Sequence, residues 1–389
     1  MRIGLNLLHA RPEIGGAWNY IGSVVQTMKL LDCTFEFVAY CTSTSARLVP
    51  DDPRFKVKIV RMVGSSQLAR IFYEQSVLPL VAYREKIDCI HWFANTCSLA
   101  SLVPSVVTIH DLMFLDNQVD RPSEVSSAKK LYLREMERYT CRHAEVIAPV
   151  SEATAEVAVR LFGVERKRIV VVPNPLDEAF CAALPEEVKT FRGRWKLPSQ
   201  FWLYVAHPYP HKNHARLIAA YKKFRDVSQC TWPLVLRGDN VKGNEMLAQV
   251  ALDLGIAESI VWLPRLSSED MVRLYSAATA LVFPSLYEGC GIPVLEAMAC
   301  GCPVTASDIN TTKEFGGDAT PMFDATSVDA IAGAMRQFFE DPALRESCST
   351  KGLIKAEQYS SKTIAGRLLT AYRHSVPKQI VNVERGARN

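Results

Sequence analysis

The strongest constraint on the fold is a rhythm that is broken once and then restarts. In the first half, apolar runs at 2–8, 35–41, 57–63, 89–93, 105–111, 145–151 and 169–175 ("RIGLNLL", "FEFVAYC", "VKIVRMV", "CIHWF", "SVVTIHD", "EVIAPVS", "IVVVPNP") are separated by helical periodicity near 17–29, 68–83, 124–142 and 152–162. Short, uniformly apolar strands alternating with amphipathic helices predict a parallel sheet covered on both faces. A polar helical connector follows at 185–198. A second set of strands then begins with "FWLYVAH", "PLVLRG", "SIVWLP", "ALVFPS" and "CPVTAS", with helices expected near 213–226, 243–254, 268–277 and 293–300. Residues 327–374 read as mostly helical, with breaks at Pro342 and Ser360–Ser361. The expectation is an α/β chain of two doubly wound, Rossmann-like domains at 1–190 and 191–375, facing a central cleft, with a polar tail at 376–389.

Composition narrows the function classes. A chain of 389 residues, 48% hydrophobic and 22% charged, can bury two cores of ordinary size. A net charge of +4 does not by itself imply a nucleic-acid footprint, and it leaves room for a modest affinity for anionic surfaces or phosphorylated ligands. No segment has the pattern of a signal peptide, and none approaches the roughly 18 apolar residues of a spanning helix. Eleven cysteines, an odd number without framework spacing, read as reduced thiols. The expected location is therefore cytoplasmic. The pair Cys300 and Cys302 lacks the further ligands of a zinc set.

In doubly wound sheets, ligands sit at the carboxyl ends of strands beside helix N-termini. "SLYEGCGIPVLEAMACG" places Glu288 in a loop after a strand and Glu296 in the helix that follows, with Gly289 and Gly291 between. The glycines allow close backbone approach, the helix N-terminus favours a diphosphate, and Glu296 lies roughly 7 Å along the helix from Gly291. Two carboxylates so spaced can accept hydrogen bonds from hydroxyls at opposite ends of one ligand. Gly15 and Gly16 lie between the first strand and a helix, a geometry that can present amide donors. His110 and Asp111 end another strand, and Ser151 reads as an N-cap beside Glu152. No Asp-x-Asp, G-x-G-x-x-G or G-x-x-x-x-G-K occurs, so metal-held diphosphates, nicotinamide binding and ATP hydrolysis find no support.

The Glu288-x7-Glu296 segment resembles the motif of retaining glycosyltransferases of family 4, which have the GT-B fold, and the likeness runs to about residue 375. The resemblance implies that Glu288 holds hydroxyls of the transferred sugar and Glu296 the nucleotide ribose, with the backbone at Cys290, Gly291 and Ile292 facing sugar and phosphate. "HPYPHKNH" is similar to the family's diphosphate segment, which makes Lys212 the contact to the leaving group. His207 stands where the family often has an arginine; Arg237, at the end of the next strand, is the candidate replacement. Cys290 stands where the family commonly has an aromatic residue. Gly15 and Gly16 match the glycine loop, and His110 a residue near the transferred sugar.

The resemblance further implies a retaining hexosyltransferase, and the lack of an Asp-x-Asp pair adds the expectation that it works without a metal or other cofactor. "RIFYEQ", "TIHDL" and the glutamate motif look most like bacterial surface-polysaccharide enzymes, several of which use GDP-mannose. The expected partners are a nucleotide-sugar donor and a glycan or lipid-linked saccharide acceptor. A basic stripe of Lys129, Lys130, Arg134, Arg138 and Arg142 offers peripheral contact with the inner face of the membrane, but Glu135 and Glu137 interrupt it, and a solvated helix face is the favoured reading of the same residues. The competing readings are a catalytically silent nucleotide-sugar or glycan-binding subunit, and another GT-B enzyme such as an epimerase or phosphorylase.

Overall fold

The computed structural model describes residues 1–12, 16–61, 66–112, 127–238 and 241–376, giving backbone alone at 127–130 and 241–242. Its described residues form two compact units, one from 1–112, 127–175 and 361–376, the other from 176–360. Expectations placed on Gly15, on the side chains of Lys129 and Lys130, and on the tail from Pro377 onward lie outside the described residues.

In the first unit, strands β1 (Arg2–Asn6), β2 (Glu36–Cys41), β3 (Phe55–Ile59), β4 (Cys89–Trp92), β5 (Ser105–Ile109) and β6 (Val146–Pro149) form one parallel sheet in the order β3-β2-β1-β4-β5-β6. Ile3, Leu5, Ile90, Val107 and Ile147 are fully buried, as strands covered on both faces require. The edge strand β3 differs: Val57 and Ile59 are exposed, and Lys56 and Lys58 charge that edge.

Three local expectations are corrected. β1 ends at Asn6 rather than 8, because the Asn6 side-chain oxygen accepts from Leu8 N–H at 3.2 Å and turns the chain. The run 169–175 contributes only an isolated bridge, Ile147 to Ile169; Pro173 and Pro175 have no N–H with which to extend a ladder. The expected helix at 68–83 is interrupted by a π turn, Tyr73–Val77, between helices Gln67–Phe72 and Leu78–Arg84. Leu78 N–H bonds back to Tyr73 O, and Pro79 supplies no N–H to the Gln75 carbonyl, which accepts the Ser98 hydroxyl at 3.1 Å instead.

In the second unit, β7 (Trp202–Val205), β8 (Leu234–Arg237), β9 (Ile260–Leu263), β10 (Ala280–Phe283), β11 (Val304–Ser307) and β12 (Met322–Phe323) form a parallel sheet in the order β12-β11-β10-β7-β8-β9. β12 and the helix Asn310–Gly316 were not expected from the sequence. The core is rich in aromatics, with Trp202, Tyr204, Tyr221, Tyr275 and Phe283 at most 1% exposed.

The unit boundaries also differ from the expected 190/191 division. Residues 176–190 belong to the second unit: Leu176 N–H bonds to Tyr359 O at 2.9 Å, and Phe180 packs on that unit's core. The last helix, Ser361–Ser375, returns to the first unit and buries Ile364, Leu368 and Tyr372 there. Val376, assigned to a polar tail, is 4% exposed.

Candidate active site

Chain order explains where the site forms in the second unit. From β7 the chain winds outward through β8 and β9, then crosses to β10 on the other side of β7. The loops leaving the carboxyl ends of β7 and β10 therefore meet at this switch point, the place where such sheets bind ligands. Lys212 arrives from the first loop in a 3-10 turn, Pro210–Lys212, and Glu288 from the second.

The two side chains meet there. Lys212 Nζ donates to Glu288 Oε1 at 2.6 Å, with the side chains 20% and 9% exposed. The two loops are stitched together by main-chain bonds. Leu286 N–H reaches His211 O at 2.8 Å, and the Tyr204 hydroxyl donates to the Lys212 carbonyl at 2.6 Å. Asn213, in the left-handed region at φ 63°, donates through Nδ2 to Pro284 O at 3.0 Å and Ala325 O at 2.8 Å. Thr311 Oγ1 donates to Glu288 O at 2.8 Å. Burial lowers His211 and His214 to about 4, Lys212 adding to both, so neither repels the Lys212 charge at neutral pH.

Gly291, at φ +62°, enters the helix Ile292–Ala299, and Pro293 occupies its first turn. The first N–H groups of a helix have no intrahelical acceptor and suit an anion. One turn on, Glu296 Oε2 accepts the Tyr275 hydroxyl at 2.8 Å. Burial pushes the Glu296 carboxyl up to about 7; the Tyr275 bond and the Arg237 charge pull it down, and Asp177 pushes it further up. Arg237 ends β8 and so acts electrostatically on Glu296. His207 is half-buried, its ring 6.1 Å from that of Tyr209. Gly238 is required at this edge, since a Cβ there would stand 2.0 Å from Ala206 O. Gly289 and Cys290 are half-buried, and Cys290 and Ile292 pack on the core of the unit.

The first unit also has a switch point, between β1 and β4. Gly16 is exposed at the start of the helix Gly16–Thr27 that follows β1. His110 follows β5. Its ring Nε2–H donates to Phe93 O at 2.9 Å, and Tyr20 stands edge-on at 4.8 Å. Burial lowers the His110 pKa, opposed by the Phe93 carbonyl and Asp111. A neutral ring with hydrogen on Nε2 leaves Nδ1 as an acceptor.

Asn95 clamps this loop. Its Oδ1 takes His110 N–H at 2.8 Å, and its Nδ2 donates to Asp111 O at 2.6 Å and Glu137 Oε1 at 3.0 Å. Burial pushes Glu137 up to about 7 against the Asn95 bond, with Asp111 adding to the rise. Ser151 is the N-cap expected, accepting from Thr154 N–H at 3.0 Å, and Glu152 pairs with Arg166. Arg134 and Arg142 are exposed, whereas Arg138 is half-buried and 3.8 Å from Glu135.

Sequence reasoning missed Tyr204, Asn213, Tyr275 and Thr311, as well as Asn95 and Glu137. None of the six was given a role there, because only the fold brings them to the loops they hold. Among the described residues no three His, Cys, Asp or Glu side chains gather to hold a metal ion.

The whole architecture has counterparts among solved structures. Sucrose-phosphate synthase from Thermosynechococcus elongatus aligns with a TM-score of 0.76 at 18% identity, over 96% of this chain and 98% of that one. Anabaena HepE, solved with UDP and glucose, aligns at 0.74 and 19% identity over 96% and 99%. The fold is GT-B, the two-sheet architecture of a large class of glycosyltransferases. Residues 14–180 match the model "Glycosyltransferase Family 4" and residues 186–353 match "Glycosyl transferases group 1". The Escherichia coli O-antigen chain mannosyltransferase B is 30% identical over 294 residues, 75% of this chain and 76% of that protein. The chain belongs to glycosyltransferase family 4.

Proposed function

We propose that the protein transfers mannose from GDP-mannose to a hydroxyl of a glycan or lipid-linked saccharide, with retention and without a metal, in bacterial surface-polysaccharide synthesis. The observation that carries this reading is the Lys212–Glu288 pair, 2.6 Å apart at the switch point with Glu296 one helical turn beyond. The identity of the sugar and its destination rest on similarity to the E. coli O-antigen enzyme.

In this reading the diphosphate takes Lys212 and the N-terminal amides at Gly291 and Ile292. Glu288, released from the lysine, takes hydroxyls of the transferred sugar, and Glu296 takes the ribose diol. Lys212 then neutralises charge as the anomeric C–O bond to the diphosphate breaks. The new bond forms from the acceptor oxygen to the anomeric carbon, and the acceptor's proton passes to the departing phosphate oxygen. His110 offers a sugar hydroxyl its Nδ1 lone pair. A cytoplasmic location and peripheral membrane contact through Arg134 and Arg142 belong to the same reading; no described helix is long and apolar enough to cross a membrane.

Calorimetric titration of a panel of nucleoside diphosphates and their sugars in EDTA, on wild type and Glu296→Ala, tests the donor site. Preference for GDP and GDP-mannose, weakened by the substitution, is expected. Absence of binding to folded protein would reject the metal-free donor site and favour a silent subunit. The anomeric configuration of the product, read by NMR, decides retention.

A further inference from the structure

A second polar cluster lies at the carboxyl end of β1, outside the residues given roles above. Its centre is Arg70, on the helix Gln67–Phe72, with a side chain 12% exposed. Arg70 Nη1 lies 2.6 Å from His9 Nδ1 and 3.5 Å from Glu74 Oε2. Glu74 is 9% exposed and stands in the π turn; its Oε1 accepts Asn6 Nδ2 at 3.0 Å. The π turn swings a carboxylate inward against the β1 end, a type of distortion that recurs at functional sites.

The direction of the Arg70–His9 bond is set by chemistry. A guanidinium only donates, so His9 Nδ1 must accept, and the ring is then neutral with its hydrogen on Nε2. Burial lowers His9 to about 4, and the charges of Arg70, His110 and Arg11 add to the shift. The groups facing the ring are thus cationic or neutral, with Glu74 engaged by Arg70 and Asn6. The ring is half-buried, and among the described residues no protein group bonds its Nε2. Two residues on, Arg11 Nη2 is buried without an acceptor among the described residues. A buried guanidinium N–H left unmet is costly, and an oxygen-bearing ligand meets it.

We propose that His9 is a substrate-binding residue of the first unit, its Nε2–H held as a donor toward an oxygen of a saccharide substrate. Arg70 and Glu74 are positioning residues that fix the tautomer, and Arg11 supplies a second donor beside it. The same chemistry fits a hydroxyl of the acceptor glycan or an oxygen of the nucleotide sugar. The inference rests on the glycosyltransferase reading for the ligand's identity, but not for the ring's state.

The test is nitrogen-detected NMR of the His9 imidazole in the full protein, with transfer kinetics alongside. The expected spectrum is a neutral Nε2–H tautomer from pH 8 to 5, giving way to a mixture of the two neutral tautomers in Arg70→Met, which removes the donor that fixes Nδ1 as acceptor. The Nε2 signal should move on adding methyl α-mannopyranoside or GDP-mannose, and which one moves it identifies the source of the oxygen. In kinetics, His9→Ala should raise the KM for that substrate about 3- to 10-fold, the worth of one hydrogen bond, with kcat less affected. His9→Gln, which keeps an N–H donor, should recover part of the loss. A ring that titrates in the usual histidine range, carries hydrogen on Nδ1, or ignores both ligands overturns the proposal. The ring is read without turnover, so a wild type that transfers no sugar rejects the proposed function alone, while the spectrum still decides the role of His9.

Discussion

At the scale of residues, two carboxyls held near neutrality do different work. Glu296 is half-protonated close to pH 7 because burial disfavours its charge. In the proposed reading Glu296 takes the ribose diol, which hydrogen-bonds best to the ionised form, so nucleotide affinity should rise from pH 6 to 8. The slope should approach tenfold per unit at the acid end and vanish in Glu296→Gln; calorimetry in buffers of different ionisation enthalpy should detect the proton released. Glu137 is buried and faces no ligand in the proposed reading. Its folded pKa lies above the unfolded value, so the stability it contributes is complete below about 4.5 and is lost as pH rises through about 7. Glu137→Gln keeps an acceptor for Asn95 and should be more stable than wild type at pH 8, whereas Glu137→Ala should cost about 1–3 kcal/mol by urea denaturation. The glutamate spacing and Lys212 were legible in the sequence because a motif fixes residue types at fixed separations. Tyr275 was not, because a tyrosine 21 residues before Glu296 carries no local sign that it will reach that carboxylate.

Among elements, the strands were read well and their ends poorly. A run such as "SVVTIHD" shows burial on both faces, but where β1 stops depends on the Asn6 side chain capturing Leu8 N–H. The π turn at 73–77 was invisible for a related reason: helical periodicity runs on through it, and the missing Pro79 donor is absorbed by a distant partner, Ser98. Gly238 shows how tightly one element's end can depend on another. Gly238→Ala would drive a Cβ into the Ala206 carbonyl and should destabilise the second unit by about 3 kcal/mol or more, with a lower urea midpoint; in the proposed reading nucleotide binding weakens as well, since the displaced loops carry Arg237 and Lys212.

For the whole molecule, the histidines decide the acid limit of stability. His91 is fully buried between Tyr372, at 2.8 Å, and Thr108, at 2.9 Å, and burial lowers it to about 3. With His9, His211 and His214 near 4, four rings remain neutral when folded yet take up protons when unfolded. Their contribution is present above the unfolded value near 6.5 and is lost as pH falls toward 4. Glu74, Glu137 and Glu296, all raised by burial, oppose this over part of the range, but the lowered rings, His110 among them, outnumber them. The melting temperature should therefore fall from pH 7 to 5, by calorimetry. Tyr372→Phe, which removes the hydroxyl from His91, should cost about 1 kcal/mol.

That last contact marks the limit of what the sequence could determine. The number of sheets, their parallel sense, the family and the glutamate–lysine set follow from local patterns, because apolar periodicity and motif spacing are properties of short stretches of chain. The return of helix Ser361–Ser375 to the first unit was decided only in three dimensions, as were the pairing of Lys212 with Glu288 and the clamping of His110 by Asn95. Each depends on which strand ends become neighbours in a sheet, and strand order is set by packing among segments far apart in the chain, as His91 and Tyr372, separated by 281 residues, are.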